Sequence, residues 1–168
     1  MDYVLRLAGE KAVTVAQQFP GRPVLGADTI VLVDQEVLGK PRDRDDAARM
    51  LRMLSGRKHQ VITAVCLVLA RNAGFHQDGF HEDGFHEDKE HPQTDTRSCT
   101  TQVSFRKLNE EEIQQYIAGG EPMDKAGAYA IQGGAARWID RLDGEHSNVM
   151  GLPLSLVTEM LRANELIA

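Results

Sequence analysis

Long apolar segments, basic charge and cysteine pairs are all scarce in this 168-residue sequence. Its longest apolar segment, VITAVCLVLA at residues 61–70, is too short to cross a bilayer. The formal net charge of −6 argues against a basic surface that would bind a nucleic acid backbone. We therefore expect neither a membrane nor a nucleic acid as partner. Cys66 and Cys99 show no metal-binding or redox spacing, although a bridge between adjacent strands is left open.

Length and composition favour one intracellular domain. A 42% share of hydrophobic residues can bury one core in a chain of this length, so we predict a single domain over residues 1–168. The opening residues, MDYVLRLAGEK, contain acids and no small-residue cleavage site, which is not typical of a signal peptide. Together with the two unpaired cysteine positions, this predicts a cytoplasmic location. A polyanionic substrate would need a divalent cation between itself and so acidic a chain.

Helical and strand-like patterns alternate along the chain, which predicts an α/β fold with a mixed sheet. Helices are predicted over residues 1–19, from a cap at Asp43 to Gly56, from a cap at Asn109 to Gly119, and after Pro153. Strands are predicted over residues 24–33, 36–39, 59–70 and 100–108. A hairpin is predicted over residues 136–150, with a tight turn at Asp143 and Gly144.

A histidine-rich repeat, GFHQDGFHEDGFHEDKEH, occupies residues 74–91. Its five-residue period does not keep the histidines on one face of a helix or of a strand, and its glycines disfavour both structures. We interpret residues 73–97 as a low-complexity polar insertion between two strands. The alternative is weak binding of Zn²⁺ or Ni²⁺ through the imidazoles, which would make this a metal-handling protein.

Single polar residues stand out in otherwise apolar or conformationally special segments. Asp28 interrupts the apolar segment VLGADTIV, and a buried carboxylate is costly unless it is paired or bound to metal. The equally weighted alternative is an aspartate that caps a turn. Lys40, in the segment GKP, follows a strand and precedes a helix, a position that suits an ammonium facing a phosphate. Most lysines at such positions are simply solvated.

The segment GEPMDKAGAYAIQGG, at residues 120–134, is denser in small residues than a connecting loop requires. Asp124 and Lys125 supply opposite charges, and the glycines allow the backbone to approach a ligand closely. Gln132 offers a donor and an acceptor on one planar group. An ordinary glycine-rich turn is the competing interpretation.

Taken in order, GADTIV, GKP, LSGRKHQVITAV, GEPMDKAGAYAIQG and NVMGLPL resemble the Maf family of nucleoside triphosphate pyrophosphatases. The resemblance covers nearly the whole chain outside residues 73–97. It implies a mixed, twisted sheet with flanking helices that form two lobes around a cleft, as in inosine triphosphate pyrophosphatases. It also implies hydrolysis of a nucleoside triphosphate to the monophosphate and pyrophosphate with a divalent metal cation, Mg²⁺ or Mn²⁺. Members of the family commonly form homodimers.

The resemblance assigns roles by position. Asp28 corresponds to the proton acceptor and to a metal ligand, and Asp124 to a second metal-binding or water-positioning carboxylate. The substrate-binding positions are Lys11, Thr29, Lys40, Lys125 and Gln132. Thr29 and Gln132 correspond to positions associated with base choice, and a similar pair occurs in the branch that acts on dTTP and UTP. A neutral amide can pair with both the N–H and the carbonyl of a pyrimidine imide edge.

One segment of the family pattern has no counterpart in this sequence. Family members open with a strand and a loop that reads like S-x-S-P-R-R, whereas this chain begins at MDYVLRLAGEK. We therefore describe the domain as N-terminally truncated relative to the family. The alternative to a pyrophosphatase that acts on dTTP and UTP is a catalytically inactive relative that binds nucleotides or a protein partner.

Overall fold

The computed structural model of this protein describes residues 2–69 and 93–168. In these residues helices and strands alternate, which confirms the predicted α/β class. The helices are α1 (Asp2–Ala16), α2 (Arg44–Leu54), α3 (Glu110–Ala118), α4 (His146–Val149) and α5 (Leu154–Ala163). The strands are β1 (Val24–Val33), β2 (Glu36–Leu38), β3 (Lys58–Val68), β4 (Thr94–Phe105) and β5 (Ile139–Asp143). Short 3-10 turns at Glu121–Asp124, Ala126–Ala128 and Gly134–Trp138 connect α3 to β5.

The five strands form one sheet in the order β2-β1-β3-β4-β5. Every pairing among these strands is antiparallel, so the expectation of a mixed sheet is wrong for the described residues. The reason lies in the connections. In residues 2–69 and 93–168, strands β1 and β2 are joined by a two-residue turn, and no helical crossover joins two parallel neighbours. Asp34 and Gln35 form that turn with φ angles of 46° and 69°, as a tight hairpin turn requires.

Two predicted helix starts are confirmed by their capping contacts. The Asp43 side chain accepts a hydrogen bond of 2.8 Å from the backbone N–H of Asp46, which begins α2. Asn109 and Glu112 form a reciprocal capping box at the start of α3. Across residues 2–69 and 93–168, no helix has the length and apolar character needed to cross a bilayer.

Helix α1 packs directly against β1 at Gly26. A methyl group placed on Gly26 would lie 2.8 Å from the Ala12 side chain and 2.9 Å from the Ala8 carbonyl oxygen. Glycine at this position therefore permits a close approach of helix and strand. The same face of the sheet carries the apolar cluster of α1, with Val4 and Ile62 among its buried members.

The opposite face of β3 divides into two apolar regions. Val61 belongs to the largest cluster, which packs against α2 and α3, whereas Val65 and Leu67 pack against Met160 of α5. Thr63 is fully buried between these two regions. A polar position therefore separates two apolar regions on this face of the sheet, while the two lobes around a cleft that the Maf resemblance implied stay a prediction.

Two local predictions need correction. Residues 145–150 do not form the second strand of a hairpin: they contain the short helix α4, and β5 pairs with β4 instead. Thr101 exchanges hydrogen bonds with the backbone of Glu145, which holds the start of α4 against β4. Strand β4 begins at Thr94, so residues 94–97 of the predicted insertion belong to the sheet. The rest of that insertion, including the histidine repeat, lies outside the described residues apart from Gln93.

The strand register explains why Cys66 and Cys99 do not form a disulfide. Cys66 lies opposite Thr96, and Cys99 lies opposite Thr63, on neighbouring strands β3 and β4. Residues 63 and 66 are an odd number of positions apart, so the two thiols project from opposite faces of the sheet. Both cysteines are free thiols, and Cys66 is buried. Burial raises the pKa of the Cys99 thiol.

Candidate active site

A cavity of about 240 Å³ lies against the middle of β1. Its charged side chains are those of Lys11, Asp28, Lys40, Asp124 and Lys125, and Thr29 adds a hydroxyl group. Its other lining residues include Val31, Val61, Tyr129, Val149, Met150 and Gly151. A second cavity, of about 560 Å³, shares Asp28, Thr29 and Lys40 with the first. Six of the seven site residues predicted from the sequence therefore lie around one cavity.

Asp28 is held by Lys11. Its carboxylate accepts a hydrogen bond of 2.5 Å from the Lys11 ammonium, which reaches across from α1. The Asp28 side chain is only 13% exposed, whereas the Lys11 side chain is 58% exposed. Asp28 lies opposite Ala64, on the sheet face that α1 covers. The tight contact at Gly26 brings this helix close enough for the ion pair.

A backbone hydrogen bond brings Lys40 next to the 3-10 turns beside β1. The Gly127 N–H donates a hydrogen bond of 3.0 Å to the carbonyl of Gly39, which precedes Lys40. Gly127 has a φ of 68°, and a methyl group on it would lie 2.9 to 3.1 Å from three side-chain atoms of Val31. Glycine is thus required at this position for both conformation and space. The contact places the segment carrying Asp124 at the cavity.

Asp124 and Lys125 form an exposed ion pair at the cavity rim. The Lys125 ammonium donates a hydrogen bond of 2.5 Å to the Asp124 carboxylate. This hydrogen bond is the main reason that the pKa of Asp124 lies below its usual value, and the charge of Lys40 adds to the effect. Asp124 is therefore ionised at neutral pH. The cavity presents three ammonium groups and two carboxylates.

Thr29 faces the opposite side of β1 from Asp28. Its hydroxyl oxygen lies 2.9 Å from that of Thr63, which in turn donates a hydrogen bond of 2.9 Å to the backbone carbonyl of Asn148. Thr63 and Asn148 are fully buried. A chain of hydroxyl and amide groups therefore runs from the sheet interior to the cavity wall.

Gln132 is the one predicted site residue that lines neither of the two cavities. It is exposed, in the turn after Tyr129. Hydrogen bonds to Glu121 hold this turn in place, because its carboxylate accepts them from the Gly134 N–H and the Tyr116 hydroxyl. The role of Gln132 in base choice stays a prediction.

Comparison with known proteins decides the family. Residues 1–164 match the family described as Maf-like protein. The chain belongs to the Maf-like family. A dTTP/UTP pyrophosphatase of Anaeromyxobacter dehalogenans is 48% identical over 164 residues, which cover 96% of this chain and 72% of the relative. A dTTP/UTP pyrophosphatase of Geobacter metallireducens is 46% identical over 161 residues, covering 96% of this chain and 74% of the relative. One from Koribacter versatilis is 45% identical over 162 residues, with 96% and 72% covered.

The donor set of this Maf-like cavity fits a cation that is shared with a phosphate ligand. Mg²⁺ is usually bound through one or two carboxylates together with substrate phosphates and water. Asp28 and Asp124 supply two carboxylates to the same cavity. In the described part of the chain, no group of three or more His, Cys, Asp or Glu side chains could hold a metal ion. The two carboxylates in the described residues therefore form an incomplete ligand set for such a cation, and further oxygen ligands would have to complete it.

Sequence reasoning missed several residues in and behind this cavity. Tyr129 lines the cavity, and its buried hydroxyl lies 2.8 Å from Nε2 of His59. Burial lowers the pKa of His59 to about 4. Thr63 and Asn148 also escaped notice. The available signal was the same one that revealed Asp28, namely a polar side chain within an apolar strand, since Thr63 interrupts VITAV.

Proposed function

We propose that this chain is a nucleoside triphosphate pyrophosphatase that hydrolyses dTTP and UTP to the monophosphate and pyrophosphate. The observation that carries the proposal is the convergence of three lysines and two aspartates on one cavity. The chain has a net charge of −6, so a polyanion would be repelled by most of its surface. The relatives reported above, about 45% identical, are named for the same activity.

The lysines would bind and neutralise the triphosphate. Lys11, Lys40 and Lys125 approach the cavity from three separate elements, so they can contact different phosphate groups. Charge accumulates on the oxygens of the leaving pyrophosphate as the reaction proceeds, and fixed ammonium groups stabilise that charge. Bound phosphate would compete with Asp28 for Lys11, and the carboxylate would then be released from its ion pair.

Asp28 would act as the general base. It accepts a proton from a water molecule as the water oxygen forms a bond to the α-phosphorus. The bond between that phosphorus and the α–β bridging oxygen breaks, and pyrophosphate leaves with the bonding electron pair. Asp28 lines the cavity, so its carboxylate can contact a water molecule that lies beside a bound α-phosphate.

A divalent cation, Mg²⁺ or Mn²⁺, would be held by Asp28 and Asp124 together with the phosphates. When bound, it would supply further charge neutralisation and would acidify a nearby water. Thr29 and Gln132 would contribute to base choice. We also propose a cytoplasmic location, on the basis of the opening residues and the two cysteines, and a homodimer, as the resemblance implies.

The test is pyrophosphate release from dTTP, UTP and ATP in the presence of Mg²⁺. We expect turnover of dTTP and UTP, and we expect Asp28→Asn to lower kcat by roughly 10²- to 10⁴-fold, the usual contribution of a general base. Asp140→Asn is the matched control, because Asp140 is an exposed carboxylate on β5 that does not line the cavity. Full activity of Asp28→Asn would rule out its role as base. Nucleotide binding without turnover by the wild-type protein would favour the non-catalytic alternative.

A further inference from the structure

The hydrogen bonds around Thr63 have a defined direction. The Thr63 hydroxyl oxygen lies 2.9 Å from the backbone carbonyl oxygen of Asn148 and 2.9 Å from the Thr29 hydroxyl oxygen. A carbonyl oxygen can only accept, so Thr63 donates its single proton to Asn148. Thr29 must therefore be the donor in the hydrogen bond between the two threonines.

Buried partners prevent this direction from reversing. The Asn148 side-chain amide donates hydrogen bonds of 3.0 Å to the Val61 carbonyl and to the Thr101 hydroxyl oxygen, which fixes Asn148 in place. The Thr101 hydroxyl donates its own proton to the Glu145 carbonyl. If Thr63 turned its proton toward Thr29, the Asn148 carbonyl would lose this hydrogen bond in a dry interior, which is unfavourable.

The consequence appears at the cavity wall. The proton of Thr29 is committed to Thr63, so its hydroxyl can offer the cavity only lone pairs. Within residues 2–69 and 93–168, Thr63 is the one hydrogen-bond partner recorded for this hydroxyl. A methyl group on Gly151 would lie 3.5 Å from the Thr29 hydroxyl oxygen, so glycine at that position leaves the oxygen accessible.

We infer that Thr63 and Asn148 are positioning residues that make Thr29 an obligate acceptor for an N–H donor on the pyrimidine ring. This inference rests on the proposed function. Uracil and thymine carry a proton on ring nitrogen N3, whereas cytosine presents a lone pair there. Two acceptors facing each other repel, so the relay from Asn148 to Thr29 selects dTTP and UTP over CTP.

The test compares kcat/KM for UTP and CTP in the wild-type protein, Thr63→Val and Thr63→Ser. Valine keeps the shape of threonine but removes the acceptor for the Thr29 proton, so that the proton can turn toward N3 of cytosine. We expect the UTP-to-CTP preference to fall by about tenfold or more in Thr63→Val, the order of effect of one reoriented hydrogen bond. Thr63→Ser keeps the hydroxyl and should retain the preference. Melting temperatures of the three proteins show that each is folded.

The outcomes separate the relay from other roles of Thr63. Equal loss of activity toward UTP and CTP in Thr63→Val would overturn the inference, because it would indicate a structural role or a contact between Thr29 and a water molecule. An unchanged preference for UTP over CTP in Thr63→Val would also overturn it.

If the wild-type protein turns over neither UTP nor dTTP, the proposed function fails, and the same proteins are titrated with UTP and CTP. Tighter binding of UTP that Thr63→Val abolishes and Thr63→Ser keeps would then support the relay, and equal affinities in the wild-type protein would overturn it.

Discussion

Replacing Gly127 with alanine should destabilise the domain more than replacing Gly120 with alanine. Both glycines have similar positive φ angles, 68° and 79°, so both substitutions carry the left-handed backbone cost of about 1–2 kcal/mol. The space around them differs. No atom lies within 4 Å of a methyl group on Gly120, whereas one on Gly127 meets Val31 at 2.9 to 3.1 Å. Overpacking of this kind typically costs about 1–3 kcal/mol in addition.

Denaturant unfolding of the two variants measures this difference directly. We expect Gly120→Ala to lower the free energy of unfolding by about 1–2 kcal/mol and Gly127→Ala by about 2–5 kcal/mol. Since the contact is with Val31, the destabilisation by Gly127→Ala should be smaller when Val31 is already alanine. Gly127→Ala should also raise KM, because a shift of this turn moves Asp124 and Lys125 at the cavity. Equal destabilisation by the two glycine variants would refute the steric part of the reasoning.

Two further predictions concern stability. Burial lowers the pKa of His59 to about 4, below its value near 6.5 in the unfolded state. As the pH falls, the unfolded state therefore binds a proton before the folded state does. Up to about 3 kcal/mol of the folding stability present above pH 6.5 should be lost as the pH falls toward 4. In denaturant titrations at several pH values, His59→Gln should flatten the dependence of the free energy of unfolding on pH. The control His146→Gln, at an exposed position, should leave that dependence unchanged. A pH dependence that persists without His59 would contradict its assignment to this residue. Asn109→Ala removes the capping box of α3 and should lower the free energy of unfolding by about 1 kcal/mol in the same assay. Gln114→Ala, at an exposed position on the same helix, should change the free energy of unfolding very little. Equal effects of the two substitutions would show that the cap is unimportant.

The elements that the sequence predicted well are those whose signals are local. Strand β1 spans residues 24–33 as predicted, because an apolar segment ends at Asp34 and Gln35, which adopt the positive φ angles of a tight turn. The caps at Asp43 and Asn109 are equally local. Residues 145–150 were misassigned because the contact that shapes them, from Thr101 to Glu145, joins positions 44 residues apart.

The same distinction applies to the site. Asp28, Lys40, Asp124 and Lys125 could be identified because each stands out within its own segment, as Asp28 does in VLGADTIV, whereas Lys11 was assigned only through the family resemblance. The relay could not be predicted, because Thr63 and Asn148 meet across 85 residues, and the interruption of VITAV by Thr63 indicates a buried polar position without indicating its partner. Hydrogen-bond direction depends on which partners are buried together, and no local pattern records that.

We expect strand β1 to support two different kinds of recognition with neighbouring residues. Asp28 projects toward α1 and forms an ion pair whose strength depends on charge, whereas Thr29 projects toward the relay, whose selectivity depends on the direction of a proton. Added salt weakens the attraction between lysines and phosphate but does not turn a buried hydroxyl. Affinity for the triphosphate should therefore fall with ionic strength while the preference between UTP and CTP stays nearly constant. Affinity and base preference respond differently to salt because the lysines come from three different segments, whereas the Thr29 hydroxyl acceptor belongs to a strand of the sheet.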